Sequence, residues 1–326
     1  MLRLIPRVVV CVAVASALEG CKDPQKSDPD ASSKDASASQ QLADAAISQP
    51  DARVPPPPAP PPPPPQSCPS EMVLIPSDKP YCIDRWEAVL EDKNTGKRLS
   101  PYYTPVASNA KKVKDTWETR RFEVGGPEAR AMPLPDLPAW QLDSDVVPMA
   151  VSRAGEVPHG YLSGIVARQA CENAGKRLCK QDEWVRACRG SSDQPFPYGE
   201  KYQQGACNIF RATHPAGALH DDVTTGHLDP RLNQVQDKLG PLLRLTGETK
   251  TCASRWGNDA VYDMVGNLDE WVDDGKGMFL GGFFSRSKKD GCASIVRSHP
   301  KDYWDYSLGV RCCLDATKGT VSTSVP

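Results

Sequence analysis

Residues 175–190 read GKRLCKQDEWVRACRG. The second half of this stretch predicts a short helix over Asp182–Cys188. Upstream, small apolar residues recur at i, i+3, i+4 and i+7, the spacing of one face of a helix, at Ala167, Ala170, Cys171 and Ala174. Gly175 is a typical stop signal after such a helix. We therefore expect two short helices, one on each side of Gly175.

Three further blocks flank this stretch. MVLIP (72–76) is followed by YCIDRWE (81–87), DMVGNLDEW occupies 263–271, and a Gly-Gly pair at 281–282 is followed by LGVRC at 308–312. The apolar runs 72–76 and 278–284 are typical of strands. Between them lie long segments rich in Gly, Pro and Asp, which predict irregular connections that need other means to stay ordered.

In this order, the four blocks resemble motifs of the formylglycine-generating (sulfatase-modifying factor) family, which read IDRYEVT, GKRLPTEAEWEYACRG, DMVGNVWEW and GGSW with GFRC. The resemblance covers most of residues 70–313. It implies an α+β fold, the formylglycine-generating-enzyme fold, related in shape to C-type lectins and low in regular secondary structure. The length between the two polar ends, without internal repeat or second linker, predicts one domain over residues 67–315.

The catalytic cysteines of that family are missing here. Family enzymes hold copper(I) with two cysteines beyond the Gly-Gly-Ser strand, because soft thiolates favour that ion. In this sequence Phe283 stands at the serine, and the cysteine positions fall near Arg286 and Gly291. Sliding the register to use Cys292 would leave it without a partner and Cys188 unpaired. We therefore expect no catalytic residue of this type and no copper.

Other catalytic chemistries find little support. The five histidines are scattered without metal-ligand spacing and are more typical of surface or loop positions: His159, His214, His220, His227 and His299. Carboxylates are available, but the sequence does not place any two of them as an acid and base pair.

The cysteines predict a disulfide framework. Of the 12 cysteines, Cys11 and Cys21 lie in a predicted export signal, which leaves ten. The family resemblance implies the pairs Cys171–Cys312 and Cys188–Cys292. For the rest we expect Cys68–Cys82, Cys207–Cys252 and Cys179–Cys313, although spacing alone leaves the connectivity open. A zinc site is the weaker alternative, because C-x-x-C pairs are lacking.

The family also carries structural calcium, and the resemblance implies two sets of ligands here. The first comprises the side chains of Asp263 and Glu270 with the carbonyls of Gly266 and Leu268. The second comprises Asn208, the carbonyl of Ile209, and Asp222. Oxygen ligands in an irregular loop suit Ca²⁺. The alternative is that these side chains only hydrogen-bond turns.

The N-terminus predicts export. Arg3 and Arg7 precede an apolar run, residues 8–15, that is too short to span a bilayer, and Gly20 precedes Cys21. This pattern resembles a bacterial lipobox, so we expect a signal peptide over residues 1–20 and a lipid on Cys21; an ordinary cleaved signal peptide is the alternative. The expected location is the cell envelope, at the outer membrane or facing the periplasm, with membrane contact through the lipid alone.

Both ends of the chain are expected to be unstructured. Residues 21–66 are rich in Ser, Ala and Asp and then in Pro, and they predict a disordered tether rather than a docking motif. Residues 316–326 predict a flexible tail. The formal net charge of −2 argues against nucleic acid as a partner.

Three functions remain open from the sequence. The first and preferred one is binding of a peptide, protein or glycan in the former active-site groove, expected near Phe283, Phe284, Arg286, Trp304 and Tyr306. These aromatic residues are equally compatible with a core. The second is an enzyme, either a formylglycine-generating-type oxidase or another chemistry on the same fold. The third is a structural role in the envelope.

Overall fold

The computed structural model describes residues 66–143 and 145–318. The predicted signal peptide, the predicted lipidation site Cys21 and residues 319–326 lie outside the described residues, as does the tether up to residue 65. Among the helices that are described, none combines the length and the apolar character needed to cross a membrane.

The α-helices of the described part are short and lie mostly in the first two thirds of the chain. They are α1 (Ala107–Arg120), α2 (Pro127–Ala131), α3 (Gly164–Asn173), α4 (Gln181–Arg189) and α5 (Pro215–His220). Single turns of 3-10 helix occupy Ala139–Leu142, Leu232–Gln234 and Gly291–Ala293. The two helices expected around Gly175 are confirmed as α3 and α4, whereas α1 was not predicted.

Local signals explain where α3 and α4 begin and end. The Ser163 side chain accepts a hydrogen bond from the Val166 N–H at the start of α3. At the start of α4 the Glu183 carboxylate accepts from the Lys180 N–H at 2.9 Å, and Gly190 ends the helix with φ +68°.

The strands are equally short. In chain order they are β1 (Gln66–Ser67), β2 (Met72–Ile75), β3 (Tyr81–Asp84), β4 (Ala88–Asp92), β5 (Pro148–Ser152), β6 (Arg177–Leu178), β7 (Gln236–Asp237), β8 (Gly240–Pro241), β9 (Ala253–Trp256), β10 (Asp259–Tyr262), β11 (Asp269–Val272), β12 (Met278–Leu280), β13 (Ile295–Val296), β14 (Leu308–Gly309), β15 (Cys312–Asp315) and β16 (Thr317–Lys318).

Two four-stranded sheets form the centre of the fold. One has the order β2-β3-β15-β6 and is antiparallel throughout, with Ile83 paired to both Val73 and Cys313. The other has the order β13-β12-β11-β14, in which β11 and β14 are parallel. The remaining strands form two-stranded pairs: β1 with β16, β4 with β5, β7 with β8 and β9 with β10. The product is a mixed helix and strand fold, as the α+β expectation required.

The expected strand over 278–284 is too long, and the reason lies in its glycines. Only Met278–Leu280 is extended, because Gly281 and Gly282 have φ of +95° and +79°. A Cβ at Gly281 would stand 2.9 Å from the Met264 carbonyl oxygen. The pair therefore turns the chain away from β12 at a point where no larger side chain fits.

Two buried tryptophans mark the centres of the core. Trp184 of α4 packs among residues of β2, β3 and β12, and its indole N–H donates to the Glu270 carboxylate at 2.6 Å. Trp271 of β11 packs against α3 and donates to the Leu162 carbonyl at 2.8 Å. Each buried indole thus has a partner for its polar group.

Three of the five disulfides link residues 171–188, around α3 and α4, to residues 292–313. The five bridges join Cys68 to Cys82, Cys171 to Cys312, Cys179 to Cys313, Cys188 to Cys292, and Cys207 to Cys252. These are the pairings expected from the sequence. Between residues 66 and 318 every cysteine is therefore bridged.

Candidate functional site

The loop that follows β12 carries Arg286 and Gly291, near which the sequence predicts the family's copper-cysteine positions. Arg286 lies on this loop; its guanidinium pairs with the Asp269 carboxylate and stacks over the Phe283 ring with 5.1 Å to the centroid. Asp269 also accepts a hydrogen bond from the Gly282 N–H at 2.9 Å. Burial raises the pKa of Asp269 to about 6, and the charge of Arg286 limits that rise. A cation thus occupies this position.

Gly291, near the second predicted cysteine position, has no room for a side chain. Its φ is +56°, and a Cβ there would stand 2.4 Å from the Pro195 carbonyl oxygen and 2.8 Å from the Phe196 ring. The next residue, Cys292, is buried and bridged to Cys188. A thiol at position 291 would therefore require the backbone to move.

A small pocket opens beside Phe283 and Arg286. It has a volume of about 180 Å³ and is lined by three histidines, four other aromatic rings, one arginine, one aspartate, two valines and one serine: His214, His227, His299, Phe279, Phe283, Tyr303, Tyr306, Arg286, Asp305, Val223, Val296 and Ser307. We call it the His214–Tyr306 pocket. The sequence does not predict that these histidines meet, because they lie on three separate loops and no regular spacing in the chain relates them.

The walls of this pocket are tied to one another. The Tyr306 hydroxyl and His214 Nε2 lie 3.2 Å apart, and the His299 and Tyr303 rings stack at 4.0 Å. The Tyr303 hydroxyl donates to the Asp305 carboxylate at 2.6 Å. Burial and the neighbouring His227 lower the pKa of His214, while burial raises the pKa of Tyr306. Near neutral pH the His214 imidazole and the Tyr306 hydroxyl are therefore both uncharged, beside the paired Arg286.

The other expected groove residues lie elsewhere. Phe284 is fully buried in the core with Leu268 and Leu232, so it belongs to the packing and not to the groove. Trp304 is half-buried and lines a neighbouring concavity instead of this pocket. Among the residues expected at the groove, the pocket contains Phe283, Arg286 and Tyr306.

Part of the chain matches a known protein family. Residues 161–316 match the model of the family described as "Sulfatase-modifying factor enzyme 1-like domain". Residues 161–316 therefore carry a sulfatase-modifying factor enzyme 1-like domain.

Curated relatives of this domain are named as inactive. "Inactive C-alpha-formylglycine-generating enzyme 2" of Bos taurus is 29% identical over 118 residues, which are 36% of this chain and 33% of that protein. The Mus musculus protein of the same name is 25% identical over 208 residues, 60% of this chain and 58% of that protein. The chain thus spans between a third and three fifths of these relatives. Among solved structures, PvdO from Pseudomonas aeruginosa aligns with a TM-score of 0.35 at 12% identity, covering 75% of this chain and 90% of that one.

The two expected calcium sets meet where Gly266 packs against Asn208 and Ile209. A Cβ at Gly266 would stand 2.2 Å from the Asn208 carbonyl oxygen, and Ile209 packs into the same core as Trp184. The Leu268 N–H donates to the Glu87 carboxylate at 3.0 Å. Protein donors already engage the side chains of the first set. Glu270 accepts from Arg311 at 2.7 Å through each of its oxygens, and from Trp184.

The remaining ligands are engaged in the same way. Asp263 accepts from the Gly247 N–H at 2.6 Å, and Asn208 accepts from Arg211 at 3.2 Å. Asp222 is exposed and accepts from the Thr224 N–H and hydroxyl. Within the described ranges, acidic, histidine and cysteine side chains form no group of three placed to hold a metal. In this arrangement Glu270 does not fit a calcium ion, because Arg311 supplies the positive charge; calcium at either set stays a prediction.

Proposed function

We propose that this protein is a non-catalytic binding module, in which the sulfatase-modifying factor domain holds part of a peptide, protein or glycan in the His214–Tyr306 pocket. The observation that supports this most directly is the replacement of both family cysteine positions. One now carries a paired arginine and the other a glycine without space for a side chain. Function follows the site and not the fold.

The size and walls of the pocket suit one group of a larger ligand. Its volume of about 180 Å³ is below the range of about 300–1,000 Å³ typical of pockets that enclose a whole small molecule. The rings of Phe283 and Tyr306 offer apolar faces, while His214 and His299 offer ring nitrogens. One side chain or one sugar ring is the natural occupant.

Export and a lipid anchor are part of the proposal. They are supported by the signal-like residues 1–20 ending before Cys21, and by the number of disulfides, since such bridges persist in oxidising compartments. Export is tested by labelling the cell-expressed protein with radioactive palmitate. Loss of label in Cys21→Ser supports the anchor, and cleavage without label supports an ordinary signal peptide.

Binding is tested by probing arrays of peptides and glycans with the full protein and with two variants. Tyr306→Phe and His214→Ala alter the pocket, and Tyr202→Phe is a matched control outside it. The proposal expects an array ligand that the control retains and at least one pocket variant loses. Equal binding by all variants would place the ligand elsewhere.

The oxidase alternative is tested by alkylating the unfolded, unreduced protein and mapping modified cysteines by mass spectrometry. The proposal expects all ten cysteines from Cys68 to Cys313 to be unmodified and the protein to take up no copper(I). Two modified cysteines together with one bound copper ion would establish the oxidase and refute the binding module.

A further inference from the structure

A second and larger concavity adjoins the His214–Tyr306 pocket. Its volume is about 490 Å³, with α1 as one wall and the segment around His227, together with Trp304, as the other. We call it the α1 groove. His227 lines both concavities, and Trp304 directly precedes the segment that carries Tyr306. The two concavities therefore adjoin at His227, and the α1 wall lies before the family match at 161–316.

The floor of the α1 groove is held rigidly. Trp117 of α1 is 4% exposed, and its ring stacks on His220 with 5.1 Å between centroids and 10° between planes. His220 in turn bonds the buried Asp229 carboxylate at 2.9 Å, which also pairs with Arg231. A ligand would thus meet a preorganised surface and would lose little free energy in ordering it.

The charges of α1 divide by face. Away from the groove, Lys111 pairs with Asp115 at 2.7 Å and Lys114 with Glu118 at 3.5 Å. Toward the groove, Lys112 and Arg120 are exposed and have no carboxylate partner in the described ranges. None of the described residues that line the groove is acidic. The groove is therefore cationic and complements an anion.

The other lining groups discriminate between kinds of anion. The backbone of α1 is bonded within the helix, so the groove offers no strand edge with which an extended peptide could pair. What it offers are side chains: the indole of Trp304, the amide of Asn109 and the two cations. A sugar ring matches these with an apolar face, hydroxyls and an anionic substituent.

We propose that the α1 groove binds an acidic glycan, a polysaccharide bearing carboxylate or sulfate groups, through Lys112, Arg120 and Trp304. The inference rests on the proposed binding function, because the α1 groove adjoins the His214–Tyr306 pocket at His227. It adds the chemical class of the ligand and a second set of contacts.

The test measures binding of the full protein to oligogalacturonate and to a dextran sulfate oligomer, with uncharged dextran as blank. Lys112→Ala/Arg120→Ala is expected to weaken binding of at least one acidic oligomer about tenfold or more, since it removes two charge-assisted contacts. Lys111→Ala/Lys114→Ala lies on the same helix and changes the net charge equally. This control is expected to stay within about twofold.

Each other outcome overturns the inference in a distinct way. If both double variants lose the same affinity, the effect comes from net charge and not from a site in the groove. If neither acidic oligomer binds, an acidic glycan is not the ligand. Poly-glutamate binding as tightly, with the same dependence on Lys112 and Arg120, would make the ligand an acidic peptide. If His214→Ala loses binding while Lys112→Ala/Arg120→Ala does not, the result supports binding in the His214–Tyr306 pocket and contradicts binding in the α1 groove.

Loss in the groove variant alone would support the groove and leave the pocket without a role in this ligand. Trp304→Ala is expected to weaken the same oligomer several-fold if the sugar ring stacks on the indole. An unchanged affinity in Trp304→Ala would contradict the assigned ring contact. Circular dichroism of each variant checks that the fold is retained.

Discussion

The stapled region and the α1 region are ordered by different means. The stapled region comprises α3, α4 and the sheet β2-β3-β15-β6, and four of the five disulfides close on it. The α1 region comprises residues 99–142 and 214–235, which contain no cysteine. It is held by buried ion pairs and stacked rings around Trp117. The candidate ligand surface lies mainly where covalent links are absent.

The largest effect should come from breaking the stapled region. The bridges Cys171–Cys312 and Cys179–Cys313 close nearly the same loop, with separations of 141 and 134 residues, so both must be removed to open it. Cys171→Ala/Cys179→Ala/Cys312→Ala/Cys313→Ala is expected to lose about 6 kcal/mol of unfolding free energy. Urea unfolding followed by circular dichroism measures it. The matched control is Cys68→Ala/Cys82→Ala, with a separation of 14 residues and an expected loss of about 3 kcal/mol. A larger loss in the control would contradict loop length as the cause.

A smaller effect is expected from the buried ion pair of the α1 region. Asp229 and Arg231 are both fully buried, so Arg231→Met leaves the Asp229 charge without its strongest partner and should cost about 3 kcal/mol. Urea unfolding measures this, and loss of the Trp117 near-ultraviolet signal should accompany it. The control is Arg153→Ala, whose exposed pair with Glu91 should contribute less than about 1 kcal/mol. Equal effects would show that the buried pair does not organise the region.

The sequence predicted the stapled region far better than the α1 region, for physical reasons. The helices α3 and α4 have caps and apolar spacing that are local in sequence, and the cysteines pair without remainder. In contrast, α1 buries only Ala110, Val113 and Trp117, too few apolar positions to stand out from a loop. The pocket histidines meet only through long-range packing, which leaves no periodic signal in the chain.

The stability of the protein should depend on pH through His159, because this histidine is buried against the α1 region. Its Nε2 bonds the Tyr103 carbonyl at 3.0 Å, and burial lowers the pKa of His159 to about 3. The unfolded chain takes up this proton below about pH 6.5, so the folded state loses stability as pH falls. His159→Gln should remove up to about 1.4 kcal/mol per pH unit of that slope.

The measurement is the urea unfolding free energy of wild type and His159→Gln at pH 7 and pH 5. The difference between the two proteins isolates this residue, because Asp269, whose pKa is raised to about 6, contributes with the opposite sign in both. Identical slopes in the two proteins would mean that His159 is protonated or solvated in the folded state. A steeper loss of unfolding free energy with falling pH in His159→Gln than in wild type would also contradict the prediction.

The smallest effect is expected where the α1 region meets solvent. Lys112 and Arg120 are exposed and form no ion pair among the described residues, and the Arg120 guanidinium lies over the Trp117 ring at 5.3 Å from the centroid, so Lys112→Ala/Arg120→Ala should change the unfolding free energy by only about 0.5 kcal/mol. Lys111→Ala/Lys114→Ala removes two i,i+4 pairs and should destabilise slightly more. Thermal unfolding of the three proteins measures this order. If Lys112→Ala/Arg120→Ala unfolds at a lower temperature than Lys111→Ala/Lys114→Ala, then Lys112 and Arg120 stabilise the helix. Stability would then account for these two residues without a ligand.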